Sequence, residues 1–511
     1  MTRIDLGSAA PAPPIPPPPT LGWRIVLGAG AAVALGGYGL GALTASVEPV
    51  VGWGIVGGLA ALLLTAAAAY RPVIAIYVYL ATLPFVAGID RNNLIPLVRP
   101  NEAVLALVLV GALIGAYVRC CRGAARPPAL TRLDLALAAF TLLSTAWPLA
   151  SLLIRGLTPT PLELASVLPV CKLVAVYLLV RLTVATDRAI VTVIRLIVWS
   201  GTLIAMIAVM QTLDVAPVIR VLHTIYLPDV AVEEIAERGT TTLASPIATG
   251  DFIIIALILV ICCSARGVIR AWEGRVLGTV LGTGVLAAGQ FSTWIAAVVA
   301  GALLLWRFPR LRRRFTRITP LVAVALIVGA PALIARLEGF SELGLPVSWL
   351  GRWDNLSNFY LPRFDFLHIV LGVSTNPVLQ APETWRSVIY LEAGYLYFLW
   401  IGGLPLLAAF VWLSVVVLRT ARAVRLRPGV RGACGAALEI VWWFLLVLTV
   451  LDPHLTLRGT GDLIFVLLGI VVATSTDHGV AALDETGHRR AVDLDGWNAG
   501  PHPVVDHRDT R

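Results

Sequence analysis

Long apolar runs alternate along this chain of 511 residues with short loops of contrasting charge, and that alternation restricts the fold more than any other feature. Four loops, at residues 119 to 132, 266 to 275, 307 to 317 and 419 to 431, hold eighteen arginines and a single acid, Glu273. Arginine gathered in short loops beside apolar spans marks the cytoplasmic side of a membrane protein. Threading the apolar runs between these loops predicts an all-α integral membrane protein of about fourteen transmembrane helices. They are expected at 23 to 45, 50 to 70, 72 to 88, 101 to 118, 133 to 153, 163 to 181, 189 to 212, 246 to 265, 276 to 290, 291 to 306, 318 to 335, 390 to 418, 432 to 451 and 460 to 474.

The same threading places both termini in the cytoplasm and makes the chain a multi-pass protein of the cytoplasmic (inner) membrane. A Pro-rich tail over 1 to 22 precedes the membrane domain of 23 to 474, and a disordered cytoplasmic tail is expected over 475 to 511. Residues 336 to 389 form the one long outer loop, with short interfacial helices expected inside it. At 58% hydrophobic and 14% charged residues, the chain suits a solvent that is mostly lipid. Its net charge of +9 resides in loops beside helix ends, where it sets orientation, so no nucleic-acid partner is expected. Cys120, Cys121, Cys262, Cys263 and Cys434 sit at cytoplasmic helix ends and Cys171 within a helix, so none staples an outer loop. His478, His488, His502 and His507 follow no ligand spacing, and neither a metal nor a cofactor is expected.

Three outer stretches carry polar groups that hydropathy does not require. The first runs from Gln211 to Arg238-Gly-Thr-Thr-Thr-Leu-Ala-Ser-Pro246. Its hydroxyl-rich turn beside a guanidinium is suited to phosphate oxygens, and Ser245 with Pro246 equally reads as an ordinary capped helix start. The second is the long loop, where Arg336, Arg352, Arg363 and Arg386 lie among acids and Trp349, Trp353 and Trp385. Guanidinium groups clamp phosphates in pairs of hydrogen bonds and aromatic faces suit sugar rings, while an interfacial aromatic belt is the plainer reading. Within it, 361 to 371 is expected to be an amphipathic helix begun by Pro362 and containing His368.

The third stretch is Glu392-Ala-Gly-Tyr-Leu-Tyr-Phe-Leu-Trp-Ile-Gly-Gly403. Glu392 stands at the outer start of a helix, where a carboxylate either complements the helix dipole or takes a proton from an acceptor hydroxyl. Lys172, the only lysine, lies within an apolar run and so faces the bundle interior, either to bind an anionic headgroup or to pair with a buried acid.

With these motifs in order, the chain resembles the bacterial O-antigen ligase and polysaccharide polymerase superfamily over most of Leu164 to Ala409. The marks are Ala-Val-Met-Gln211, the turn from Arg238 to Pro246, Gly351-Arg352-Trp353, Leu371-Gly-Val-Ser and the Tyr-Leu…Gly-Gly403 helix. The resemblance implies an inverting, metal-independent glycosyl transfer on the outer face of the membrane. Its donor would be a polyprenyl-pyrophosphate-linked glycan and its acceptor a glycan or lipid. Carried over, Arg238 and Arg352 would grip the pyrophosphate; beside them, the positions of Lys172, Arg363, His368, Arg386 and Tyr395 make these the further substrate-binding candidates. Residues 385 to 391 lack the histidine of the ligase pattern, so Glu392 and His368 are alternative bases. A flippase for lipid-linked oligosaccharide is the rival class; it predicts charge at mid-membrane depth in a central cavity.

Overall fold

The computed structural model describes residues 49 to 90, 98 to 123, 128 to 228, 230 to 308, 327, 347 to 381 and 387 to 484. The expected helices at 23 to 45 and 318 to 335, both distal tails, Arg336 and Arg386 lie outside the described residues. Seventeen helices are named in chain order. They are α1 (Pro49–Tyr70), α2 (Val73–Val86), α3 (Pro100–Cys121), α4 (Arg132–Ile154), α5 (Pro161–Ser166), α6 (Leu168–Thr183), α7 (Asp187–Thr212), α8 (Ala216–Ile225) and α9 (Val232–Ala236). There follow α10 (Pro246–Ala265), α11 (Ala271–Ala287), α12 (Phe291–Arg307), α13 (Val347–Asn355), α14 (Phe366–Leu371), α15 (Gly394–Arg425), α16 (Gly429–Leu448) and α17 (Thr460–Asp484). A two-stranded antiparallel hairpin, β1 (Leu379–Ala381) with β2 (Ser387–Ile389), is also present.

Among the described residues, seven helical stretches are long and apolar enough to cross a membrane, and α5 and α6 together make one of them. Shorter apolar helices include Val73–Val86, Phe291–Arg307 and Thr460–Thr474. The bundle is layered by burial. The most apolar windows of α10 and α16 are 78% buried against 28% for α3, so α10, α16 and the buried run Leu463–Leu468 of α17 form the centre. Leu62, Tyr117 and Val298 stay open on peripheral helices, as lipid-facing side chains do.

Local chemistry sets the helix ends. Thr131 and Asp134 form a reciprocal capping box at α4, and Thr160 with Glu163 repeats it at α5. The span expected at 163 to 181 is interrupted at Val167, because Pro169 at the start of α6 has no N–H to carry the ladder through. α11 begins at Ala271 rather than 276, which shortens the basic loop to 266 to 270. Between α11 and α12 the chain reverses through Gly289 at φ 62, a left-handed conformation that suits glycine, so this is a hairpin. α17 continues past Thr474 to Asp484, into the stretch expected to be disordered.

α15 is broken. Gly403 has φ 64 and ψ −160 and Pro405 follows, so the helical ladder is lost there. The freed carbonyls find other donors: Gly402 O accepts Trp147 Nε1 at 3.1 Å, and Trp400 O accepts Val373 N at 2.6 Å. A side chain at 403 would meet Val370 O, so α14 and its following turn dock only because this residue is glycine.

Contacts between helix ends fall into two separate sets. One joins Arg155 Nη2 to Val373 O (2.9 Å), Tyr226 Oη to Phe85 O (2.8 Å) and Arg458 Nη1 to Gly88 O (2.8 Å). The other joins Arg181 to Asp134 (3.1 Å), Arg431 to Asp187 (2.6 Å) and Arg266 to Arg425 O (2.6 Å). The described parts of all four basic loops belong to the second set, and the candidate site lies at the opposite end.

Candidate functional site

The long loop packs back onto the bundle through Tyr360, which is buried and donates its hydroxyl to Pro377 O (2.8 Å) and Ile389 O (3.1 Å). Its ring meets Trp400 edge to face at 5.0 Å, fixing the loop to the first part of α15. Burial holds the Tyr360 phenol above its ordinary range, so it stays protonated. This anchor places α13, with Arg352 on it, beside the segment leading into α15.

Arg352 is held by two carboxylates. Its Nε lies 2.7 Å from Glu392 Oε2, and its Nη1 donates to Asp452 Oδ2 at 3.1 Å. Glu392 precedes Ala393, the residue that caps α15, and its carboxylate is spent on Arg352 rather than on the helix terminus. Asp452 comes from the loop between α16 and α17, at Asp452-Pro-His454. Its Oδ2 also lies 4.0 Å from His454 Nε2, and His454 Nδ1 lies 2.6 Å from Asp251 Oδ2 on α10. His454 and Asp251 are fully buried, and Thr460 Oγ1 donates to the same Asp251 oxygen at 3.4 Å. Burial pushes the Asp452 carboxyl up to about 6; Arg352 and His454 oppose that rise and Glu392 adds to it.

A cavity of about 200 Å³ opens above this cluster, with Trp349, Arg352, Trp353, Tyr360, Tyr390 and Glu392 on its wall. Two charged side chains, Arg352 and Glu392, and four aromatic ones share its lining. That arrangement can hold an oxyanion against the guanidinium and a sugar ring against the aromatics. Glu392 is the acid within reach of a hydroxyl group in the cavity; Asp452 lies behind it.

The other sequence candidates are dispersed. The turn from Arg238 to Pro246 is tied shut: Gln211 Nε2 donates to Thr240 Oγ1 (2.8 Å) and Arg238 O (2.7 Å), and Gln211 Oε1 accepts Thr241 N (2.9 Å). Thr241 Oγ1 pairs with Thr249 Oγ1 at 2.8 Å and Thr242 Oγ1 donates to Pro84 O at 2.5 Å. Ser245 caps α10 with Pro246 in its first turn, so the capped helix start is observed, and the hydroxyls of Thr240, Thr241, Thr242 and Ser245 all have partners within the protein. The Arg238 guanidinium has no ion-pair partner among the described residues, and Arg238 does not line the cavity above Arg352.

Lys172 Nζ lies 2.8 Å from Asp462, itself fully buried and accepting the Tyr79 hydroxyl at 2.5 Å. Pairing with a buried acid, one of its two expected fates, is the one observed. Arg363 is exposed and donates to Phe359 O at 2.5 Å. His368 Nδ1 lies 2.9 Å from Asp365, which caps α14; this helix begins there and not at Pro362. Tyr395 spends its hydroxyl on Leu446 O at 2.8 Å. None of Lys172, Arg363, His368 and Tyr395 lines the cavity.

Sequence reasoning missed Asp251, Asp452 and His454. An acid inside the very apolar run of α10 was the available signal, since such a residue is costly in lipid without a partner. Among the described residues no group of three or more His, Cys, Asp or Glu has the arrangement of a metal site. No protein-family model matches the chain, and no curated protein matches it.

Proposed function

We propose that the protein is a membrane glycosyltransferase of the O-antigen ligase or polysaccharide polymerase type, transferring or polymerising a polyprenyl-pyrophosphate-linked glycan at the outer face of the inner membrane. In this reading about fourteen helices cross the bilayer, both termini are cytoplasmic and the cavity opens outward. The observation that carries it is Arg352, ion-paired with Glu392 in the lining of an aromatic-walled cavity. Arg352 receives the pyrophosphate of the donor, and Trp349, Trp353 and Tyr390 pack against the sugar. Glu392 takes the proton of the acceptor hydroxyl as that oxygen attacks the anomeric carbon from the face opposite the pyrophosphate. Configuration is therefore inverted and polyprenyl pyrophosphate leaves. Arg238 is a second grip for the diphosphate, approached from the turn before α10.

Turnover by the purified protein in lipid, with a polyprenyl-pyrophosphate oligosaccharide and EDTA present, tests the reading. Wild-type protein is expected to release polyprenyl pyrophosphate, and Arg238→Lys and Arg352→Lys to lose that release. A lipid-linked oligosaccharide flippase is the second reading, favoured by the buried Lys172–Asp462 pair between α6 and α17 and by the break in α15. Transbilayer movement of the lipid without release of polyprenyl pyrophosphate would establish it instead.

A further inference from the structure

Asp452 lies beneath the cavity rather than on its wall: its side chain is 5% exposed, against 26% for Glu392. Among the described residues, the charged groups facing it are Arg352 from α13, Glu392 ahead of α15, and His454 in its own loop, with Asp251 of α10 behind the imidazole. α16 brings no ionisable side chain to this end, its Arg431 and Glu439 lying toward the other, and Asp462 of α17 is occupied by Lys172 and Tyr79. With Nδ1 committed to Asp251, the buried Nε2 of His454 has no hydrogen-bond partner and lies 4.0 Å from Asp452 Oδ2.

One guanidinium between two ionised carboxylates leaves an excess negative charge at the place where an oxyanion is to bind. Each added phosphate charge makes that excess worse. A proton on Asp452, facing the open Nε2 of His454, removes it and leaves Arg352 free to turn its positive charge toward the cavity. Resting on the reading of Arg352 as the pyrophosphate-binding residue, we infer that oxyanion binding there is coupled to uptake of one proton by the buried Asp452, which faces the unpartnered Nε2 of His454, and that this proton regulates the charge of the site. Burial already holds the Asp452 carboxyl up at about 6 when no anion is bound. Near pH 5 the proton is therefore in place before the anion arrives, whereas near pH 8 it must be taken from solvent as the anion binds.

The experiment is a titration of the full-length protein in lipid nanodiscs with inorganic pyrophosphate, from pH 5 to pH 8, read by the fluorescence of Trp349 and Trp353. Wild type and Asp452→Asn are compared at each pH, so that protonation of the ligand itself cancels in the ratio of their dissociation constants. The wild type should bind as tightly as the variant near pH 5 and about tenfold or more weakly near pH 8, since one linked proton changes affinity by up to about tenfold per pH unit. A purely structural role for Asp452 predicts the opposite sign, with the variant weaker at every pH. Either that outcome or a ratio independent of pH overturns the coupling.

Sulfate on the wild type alone is the second measurement, and it serves if Asp452→Asn fails to fold. Its charge is constant over this range, so affinity falling as pH rises supports the coupling and a flat profile overturns it. Pyrophosphate that fails to bind at any pH, or binds equally well to Arg352→Lys, removes the anion site itself. That result sinks the proposed function along with the coupling, whereas binding without pH linkage sinks only the coupling.

Discussion

Two charged clusters at opposite ends of the bundle use the same side chains in opposite proportion. At the basic end three arginines, Arg307, Arg422 and Arg425, surround the single carboxylate of Glu439 at 3.7, 3.1 and 3.2 Å. Arg266 spends its guanidinium on Arg425 O (2.6 Å) and Arg427 O (2.7 Å), capping the end of α15. In the other cluster one arginine, Arg352, serves two carboxylates, and a fully buried histidine stands behind them. Surplus arginine beside water or anionic headgroups costs little, because its head is solvated or paired there. Surplus carboxylate that is half-buried around one arginine is unfavourable until a ligand or a proton changes the balance. Ion pairs alone do not mark a working site; the proportion of charges, the cavity and an unpartnered polar atom together do.

The largest effect should come from a third place, the pair that is buried and has no cavity. Lys172→Met leaves Asp462 with only the Tyr79 hydroxyl and should cost about 3 to 5 kcal/mol of stability, the usual result of orphaning a buried charge. Thermal unfolding in lipid measures it, and turnover per folded molecule should be kept. Turnover lost at unchanged stability would restore Lys172 to the substrate site.

Arg352→Lys is the next in size. Losing the paired geometry of a guanidinium should remove about 2 to 5 kcal/mol of transition-state stabilisation, on the order of a hundredfold in rate, with stability nearly unchanged. The same exchange at Arg422 or Arg425 should leave the rate alone. Equal loss at both ends would erase the contrast between them.

A pH effect of about 3 kcal/mol follows from Asp452, whose carboxyl burial pushes up to about 6 in the folded protein against about 3.9 in an unfolded chain. The folded molecule holds this proton more tightly, so the stability contributed is complete below about pH 4 and is lost as pH rises through 6. Asp452→Asn should flatten the stability profile between pH 4 and 7. An unchanged profile would mean that Asp452 is solvated in solution. The smallest effect belongs to the basic end: Arg422, whose side chain is 51% exposed, should tolerate lysine within about 0.5 kcal/mol.

Much of the architecture was legible because it is written in hydropathy. The spans from 50 to 70 through 460 to 474 that fall on described residues are helical, and the two short runs at 276 to 290 and 291 to 306 are separate helices. What escaped was set by pairings distant in sequence. Pro169 breaks a run whose composition is uniformly apolar, and Pro362, which reads as a helix start, yields that role to the side chain of Asp365. At the site, Arg352 and Glu392 were singled out from their positions around the long loop, and the structure brings them together. Asp452 and His454 lay in a loop too short to attract notice, and Asp251 was hidden inside an apolar helix. Arg238 flanks a turn whose hydroxyls are bound to Gln211, Thr249 and Pro84.

The most direct measurement is a cryo-electron microscopy map of the protein in nanodiscs with a polyprenyl-pyrophosphate oligosaccharide bound. The account predicts diphosphate density within hydrogen-bonding distance of Arg352 and the first sugar between Trp349, Trp353 and Tyr390. Density for the lipid elsewhere, with the cavity above Arg352 empty, would contradict it.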